Sequence, residues 1–191
     1  MEAEAGSAVE RAQSGDNEAF RLLVEQHSRA IFRLAFRMTG NEHDAEDVVQ
    51  ETFLRAYRQL SRYEARSSFS TWLYRIAANY ALDLMRARRR HEEKRRRDSS
   101  EGRDLLETIA ESRPGPDRTF YGDEVNKSVS AALDQLSAQE RTAFLLRHFE
   151  GLSIAEIGLA LGTGPNATKH SIFRAVRKLR KALEPLVGVA K

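Results

Sequence analysis

The sequence predicts an all-α protein of two small helical domains joined by a flexible acidic linker, the C-terminal one a helix-turn-helix. Three observations predict it. Apolar residues recur at three- and four-residue steps over most of the chain, with no alternating run of strand length. Residues 98 to 124 lose that periodicity, contain Pro114-Gly115-Pro116 and carry eight acids against three bases, a charge of −5. A charged, proline-broken stretch between periodic regions reads as a linker. Beyond it come a helix of roughly eight residues, a glycine-containing turn and a longer helix, in helix-turn-helix order. The division is therefore 1–97, 98–124 and 125–191.

Composition narrows the possibilities. The 191 residues, 41% hydrophobic, can build a packed core without disulfides or metals. The absence of Cys excludes thiolate zinc sites and cysteine nucleophiles. A net charge of +3 matters only because it is unevenly placed. The acidic N-terminus has no secretory character, and no stretch approaches the ~20 apolar residues of a membrane span. A cytoplasmic protein without membrane insertion is expected.

In chain order, Ala19 to Met38 puts Phe20, Leu23, Val24, His27, Ile31, Leu34, Ala35 and Met38 on one helical stripe. His27 there reads as a core-edge residue, with no partner at metal-ligand spacing. Gly40 is a stop signal. The helix from His43 to Leu60 turns Ala45, Val48, Val49, Thr52, Phe53, Ala56 and Leu60 inward. Its outer face runs from acidic (Asp44, Glu46, Asp47, Glu51) to basic (Arg55, Arg58). That order suits the helix dipole and equally suits docking to a partner protein. Ser61 to Ser68 reads as a loop, and Ser70 as a cap for the next helix.

From Phe69 the chain is first aromatic and apolar, with Phe69, Trp72, Leu73, Ile76, Tyr80 and Leu84 at helical spacing. It then turns basic, with eight Arg or Lys against two Glu from Arg86 to Arg97. Aromatic rings beside guanidinium groups suit opened nucleic-acid strands; a core helix with a solvated basic end is the alternative. After the linker, a helix within Val125 to Leu136 is followed by capping boxes at Ser137–Glu140 and Ser153–Glu156. Gly162 to Pro165 forms the turn, and Asn166 caps a helix ending at Glu184-Pro185. The start of that helix presents Asn166, Thr168, Lys169, His170 and Ser171 to a major groove, with Arg174 and Arg177 adding charge. Ile172, Phe173, Val176, Leu179 and Leu183 are expected on its buried side. Six bases and no acids lie from Lys169 to Lys181.

Three stretches carry a family resemblance: DAEDVVQETFLRAYRQL (44–60), FSTWLYRIAANYALDLMRARRR (69–90) and LSAQERTAFLLRHFEGLSIAEIGLALG (136–162). The chain from about residue 12 to 184 resembles the extracytoplasmic-function type of bacterial RNA polymerase sigma factor. The resemblance implies a transcription initiation factor that binds core polymerase, directs it to promoters and promotes strand opening. It implies docking on the clamp helices of the polymerase largest subunit through Asp47, Gln50, Glu51, Phe53, Leu54 and Arg55. It implies recognition and melting of a promoter −10 element by Trp72, Arg75, Ile76, Asn79, Asp83 and Arg86, with the loop holding Tyr63 capturing a flipped base. The helix-turn-helix would read the −35 element as duplex, and an anti-sigma factor is an expected partner. No enzymatic activity, catalytic residue, metal or cofactor is expected. The sequence departs from the family at the start of the last helix, where only Lys169 of a Gly-Thr-Val-Lys-Ser-Arg-like pattern is kept. It departs also at Ala78 and Leu84, where Arg is frequent. A stand-alone helix-turn-helix regulator and a helical hydrolase are the rival readings; no glycine-rich phosphate loop, HExxH or nucleophile motif supports the second.

Overall fold

The computed structural model describes residues 2–99 and 128–187, with side chains from 7 to 95 and from 128 to 184. The helices are α1 (Glu2–Gln13), α2 (Asn17–Thr39), α3 (Glu42–Gln59), α4 (Phe69–Ser99), α5 (128–134), α6 (Ala138–His148), α7 (Ile154–Leu161) and α8 (Pro165–Val187). There is no strand among the described residues. Little in the sequence marks α1: among its described side chains, only Val9 and Ala12 are buried.

Local chemistry sets most boundaries. Asp16 caps α2 by accepting from the Glu18 and Ala19 amides. Gly40, at φ 69°, closes it with an N–H bond to the Phe36 carbonyl at 2.8 Å, a conformation glycine adopts without strain. Asn41 caps α3 through the Asp44 amide. Both predicted capping boxes form, at Ser137 with Glu140 and at Ser153 with Glu156. Three expectations shift. Ser68 rather than Ser70 caps α4, accepting from the Thr71 amide at 3.1 Å. The helix α8 starts at Pro165, where a missing N–H costs nothing, and it runs past Pro185 to Val187. Asp98, expected in the linker, belongs to α4, whose 31 residues reach Ser99. The rest of that expected linker and residues 125–127 lie outside the described residues.

One apolar core runs through both halves of the chain. Leu23, Ile31, Leu34 and Met38 of α2, Val48 of α3 and Leu73 of α4 are fully buried, and Leu145, Leu146 and Ile157 of α6 and α7 join the same cluster. A smaller cluster of Ala132, Leu136, Ala175 and Leu179 seats α8. Polar contacts reinforce the junction. Arg141, buried, donates to the Met38 carbonyl at 3.0 Å and to Asp134 at 2.8 Å. Arg37 lies 4.1 Å over the Phe149 ring and 3.9 Å from Glu150, and the Thr71 hydroxyl donates to Glu156 at 3.1 Å. Each large apolar side chain buried there contributes about 1.5–3 kcal/mol, against ~0–1 for a partly exposed ion pair. Apolar burial therefore dominates the junction.

The turn between α7 and α8 is tight enough to dictate glycine at 158. A Cβ there would lie 2.8 Å from the Thr163 carbonyl oxygen and 3.3 Å from the Thr168 hydroxyl. Gly158→Ala is expected to cost about 1–3 kcal/mol, the usual range for forcing a methyl into a filled site. An unchanged melting temperature would show that the turn yields instead.

Candidate nucleic-acid and polymerase interface

The helix-turn-helix is built by side chains that face inward as much as outward. Thr168 is only 1% exposed; its hydroxyl sits 2.8 Å from the Thr163 hydroxyl and donates to the Gly164 carbonyl at 3.1 Å. It fastens the turn and offers nothing to a base, contrary to the sequence expectation. Asn166, Lys169, His170, Arg174 and Arg177 are exposed, and Ser171 is half-buried. Phe173, expected inside, is 64% exposed. Behind the helix, Lys178 donates to Glu140 at 2.6 Å. Burial pushes the Glu140 carboxyl up, but bonds from Lys178 and Ser137 outweigh it and hold it below the ordinary value.

The basic half of α4 continues the helix that begins in the core. Arg75, Asn79, Asp83 and Arg86 are exposed along one stripe. Arg86 pairs with Asp83 at 3.2 Å, Arg89 with Glu93 at 2.9 Å, and Arg88 reaches Asp44 of α3 at 2.9 Å. Trp72 and Ile76 are 7% and 8% exposed, so in this conformation they are core residues with almost no face for DNA. Tyr63 is half-buried against Phe69 and Trp72, and its hydroxyl donates to the Ser67 carbonyl at 2.6 Å. Burial pushes its phenol up. Between them Ala65 holds φ 52°, a left-handed conformation costing an alanine about 1–2 kcal/mol.

On α3 the structure divides the expected docking residues. Gln50 and Leu54 are exposed, Asp47, Glu51 and Arg55 are half-buried, and Phe53 is buried at 7%. Arg55 pairs with Glu51 at 2.6 Å and lies 4.9 Å from the Tyr80 ring centroid. Beside this face a mainly apolar groove of about 520 Å³ runs between Arg29, Phe32 and Arg33 of α2 and Glu46, Val49 and Gln50 of α3. The α2 side of the groove was not singled out from the sequence. Its signal is the pair Phe32 and Phe36, four residues apart and off the core stripe, whose rings stack at 6.2 Å. Among the described residues no group of three or more His, Asp or Glu could hold a metal, and no helix is long and apolar enough to cross a membrane.

An exposed basic helix behind a tight turn, with a second cationic helix in the N-terminal half, defines a helix-turn-helix protein fitted to nucleic acid. Sigma-70 region 2 matches residues 23–91, and Sigma-70, region 4 matches residues 126–179. The RNA polymerase sigma-H factor of Pseudomonas aeruginosa is 38% identical over 95% of each chain. The ECF RNA polymerase sigma factor SigW of Bacillus subtilis is 31% identical over 93% of this chain and 96% of its own. Two solved structures share the fold. CnrH, in complex with the cytosolic domain of CnrY, has a TM-score of 0.66 at 27% identity, covering 93% of this chain and 96% of CnrH. The sigma factor RpoE of Bartonella quintana, in complex with the anti-sigma factor NepR, has 0.65 at 25%, covering 86% and 96%. The chain belongs to the extracytoplasmic-function sigma factors of the sigma-70 family. It is a transcription initiation factor, whose regions 2 and 4 bind core RNA polymerase and promoter DNA.

Two predictions follow from burial and charge. Trp72→Ala is expected to cost about 3–5 kcal/mol of stability by leaving a cavity, so its melting temperature must be measured before any promoter-opening defect is assigned to lost DNA contact. Glu156 is held below the ordinary glutamate value of 4.5, chiefly by the Ser153 amide and hydroxyl, with Thr71 assisting. A depressed folded-state value gives stabilisation that is present above pH 4.5 and is lost as pH falls from there through the lowered folded-state value. The stability difference between wild type and Glu156→Gln should be greatest near neutral pH and shrink below 4.5. A pH-independent difference would mean that the carboxylate charge contributes nothing.

Proposed function

We propose that the three exposed faces divide the work of initiation. The outer face of α8, with Asn166, Lys169, His170, Arg174 and Arg177, reads the −35 element as duplex, while Thr168 and Ser171 support it. The α4 stripe of Arg75, Asn79, Asp83 and Arg86 contacts the −10 element as it opens. Trp72, Ile76 and Tyr63 hold the frame from which the adjoining loop takes a flipped base. Asp47, Gln50, Glu51, Leu54 and Arg55, with the neighbouring groove, dock on the clamp helices of the polymerase, and Phe53 anchors that face from inside. The units are 1–97 and 125–191 with 98–124 as linker. The protein acts in the cytoplasm, has no catalytic activity of its own, and is held in check by an anti-sigma partner, as the partner-bound states of CnrH and RpoE suggest.

The observation that carries this reading is the contrast along α8: its basic residues point to solvent while a threonine and a glycine lock the turn behind them. Phosphate neutralisation by such a face should make DNA binding fall steeply with salt. Run-off transcription with purified core polymerase and a promoter library tests it. Lys169→Ala with His170→Ala is expected to reduce −35 discrimination by roughly 5- to 150-fold, the range of one to three kcal/mol per base contact, with core binding intact. Glu51→Arg should do the reverse, weakening association with core polymerase. Loss of both functions in either variant would overturn the division.

A further inference from the structure

The loop between α3 and α4 is fastened by a side chain from the start of the chain. Gln13 ends α1, and its amide nitrogen donates to the Leu60 carbonyl at 3.0 Å and the Tyr63 carbonyl at 2.8 Å, 47 and 50 residues further on. A glutamine amide carries two N–H donors, so both are engaged. The two carbonyls bracket the short turn of Leu60–Arg62, which the backbone leaves at Tyr63 with φ −74° and ψ 112°. Among the described residues, Gln13 is the one hydrogen-bond donor to the backbone of residues 60–68 from outside residues 60–72. The rest of the loop closes on itself. The Tyr63 hydroxyl donates to the Ser67 carbonyl at 2.6 Å, leaving Glu64, Ala65 and Arg66 as an exposed arch with Ala65 at φ 52°. Gln13 is itself held in place. Val9 and Ala12 bury one side of α1, and Arg11 donates through Nε at 2.9 Å to Asp16, the cap of α2. The arch is thereby tied, through the end of α1, to the N-terminus of α2.

A loop that must be ordered before it can receive a ligand binds that ligand more weakly than one already in shape. An exposed arch with a left-handed alanine has few contacts of its own to hold that shape, so its fastenings decide how much ordering is left. We propose that Gln13 is a positioning residue for promoter opening: by holding the Leu60 and Tyr63 carbonyls it fixes the loop in the form that receives the flipped base of the −10 element. The inference rests on this loop being the place of base capture. It brings into the opening step α1, a helix with no part in the three faces described above.

The test uses holoenzyme assembled from the full chain and core polymerase, on a promoter selected by run-off transcription from a randomised library. Each non-template base of its −10 element is replaced singly, and opening is read as permanganate reactivity of unpaired thymines near the start site. Gln13→Met and Gln13→Glu keep the length of the side chain and remove both donors, whereas Gln13→Lys keeps donors at its end. Gln13 is exposed, so all three variants should fold and keep wild-type core affinity and −35 discrimination. In wild type, at least one replacement should reduce opening. In Gln13→Met and Gln13→Glu that discrimination should fall about two- to tenfold, the usual worth of a hydrogen bond, and Gln13→Lys should recover most of it. A glutamine that merely supported the bundle would lower opening on every promoter alike, so the ratio between promoters decides. Unchanged ratios in both donor-free variants, or a Gln13→Lys no better than Gln13→Met, would overturn the proposal while leaving base capture intact. A wild type indifferent to every −10 replacement would overturn base capture itself, and the role of Gln13 with it.

Discussion

Tyr63, Phe69 and Trp72 pack with ring centroids 5.0 to 5.6 Å apart, and His27 of α2 meets the Phe69 ring at 5.5 Å. This cluster decides where α4 begins and how the preceding loop returns to the bundle. Gln13 adds to it from α1, donating to the Leu60 and Tyr63 carbonyls at 3.0 and 2.8 Å. His27 keeps the character of a core-edge residue: its Nε2 is buried without a hydrogen-bond partner, and burial pushes its pKa down, so the neutral ring is the form the site accommodates. Aromatic pairs of this kind are worth about 0.5–1.5 kcal/mol beyond their burial. The loop that carries the strained Ala65 is thus pinned at both ends by rings.

That seat explains why one helix serves two environments. From Phe69 to Leu82 the inward side of α4 is held by apolar burial, a force that fades once neighbours end. Beyond it burial thins to Leu84, Met85 and Ala87, the side chains from Arg88 to Arg95 are exposed, and the helix is supported by Arg88 with Asp44 and by its own pairs, Arg88 with Glu92 and Arg89 with Glu93 at four-residue spacing. Such pairs give only a few tenths of a kcal/mol each. Part of the positive charge counted in the sequence is consequently balanced in the fold, by Asp44, Asp83, Glu92 and Glu93. On α8 the balance is different: Glu140 engages Lys178, and the outward bases keep their charge for a polyanion.

What could be read in the sequence was local. Capping boxes at Ser137 and Ser153 and the stop at Gly40 depend on residues within four positions of each other, the helix-turn-helix spacing depends on one contiguous stretch, and all are present. What could not be read depends on the partners across the fold. Periodicity put Phe53 inward and Trp72 and Ile76 on an apolar face, and all three are buried; the resemblance gave them partner and DNA contacts, and only the packed neighbouring helices show how little of each is left outside. Thr168 looks like a base-reading residue by position, yet its hydroxyl is turned inward, bonded to the Thr163 hydroxyl and the Gly164 carbonyl beside Gly158. Phe173 failed in the opposite sense: hydrophobicity predicted burial where none of the described helices covers it. The groove beside Phe32 was missed because apolarity off the core stripe has meaning only once α3 is in place.

The junction between the halves has a thermodynamic consequence. Because Leu145, Leu146 and Ile157 share a core with α2 and α4, and Arg37 rests on Phe149 across the same seam, separating the two DNA-facing units exposes hydrocarbon to water. A ligand that needs them apart binds more weakly by the fraction of molecules already open, whereas one that grips the joined form meets no such toll. Competition between two binding partners can then be decided by the seam alone, without either touching the surface used by the other.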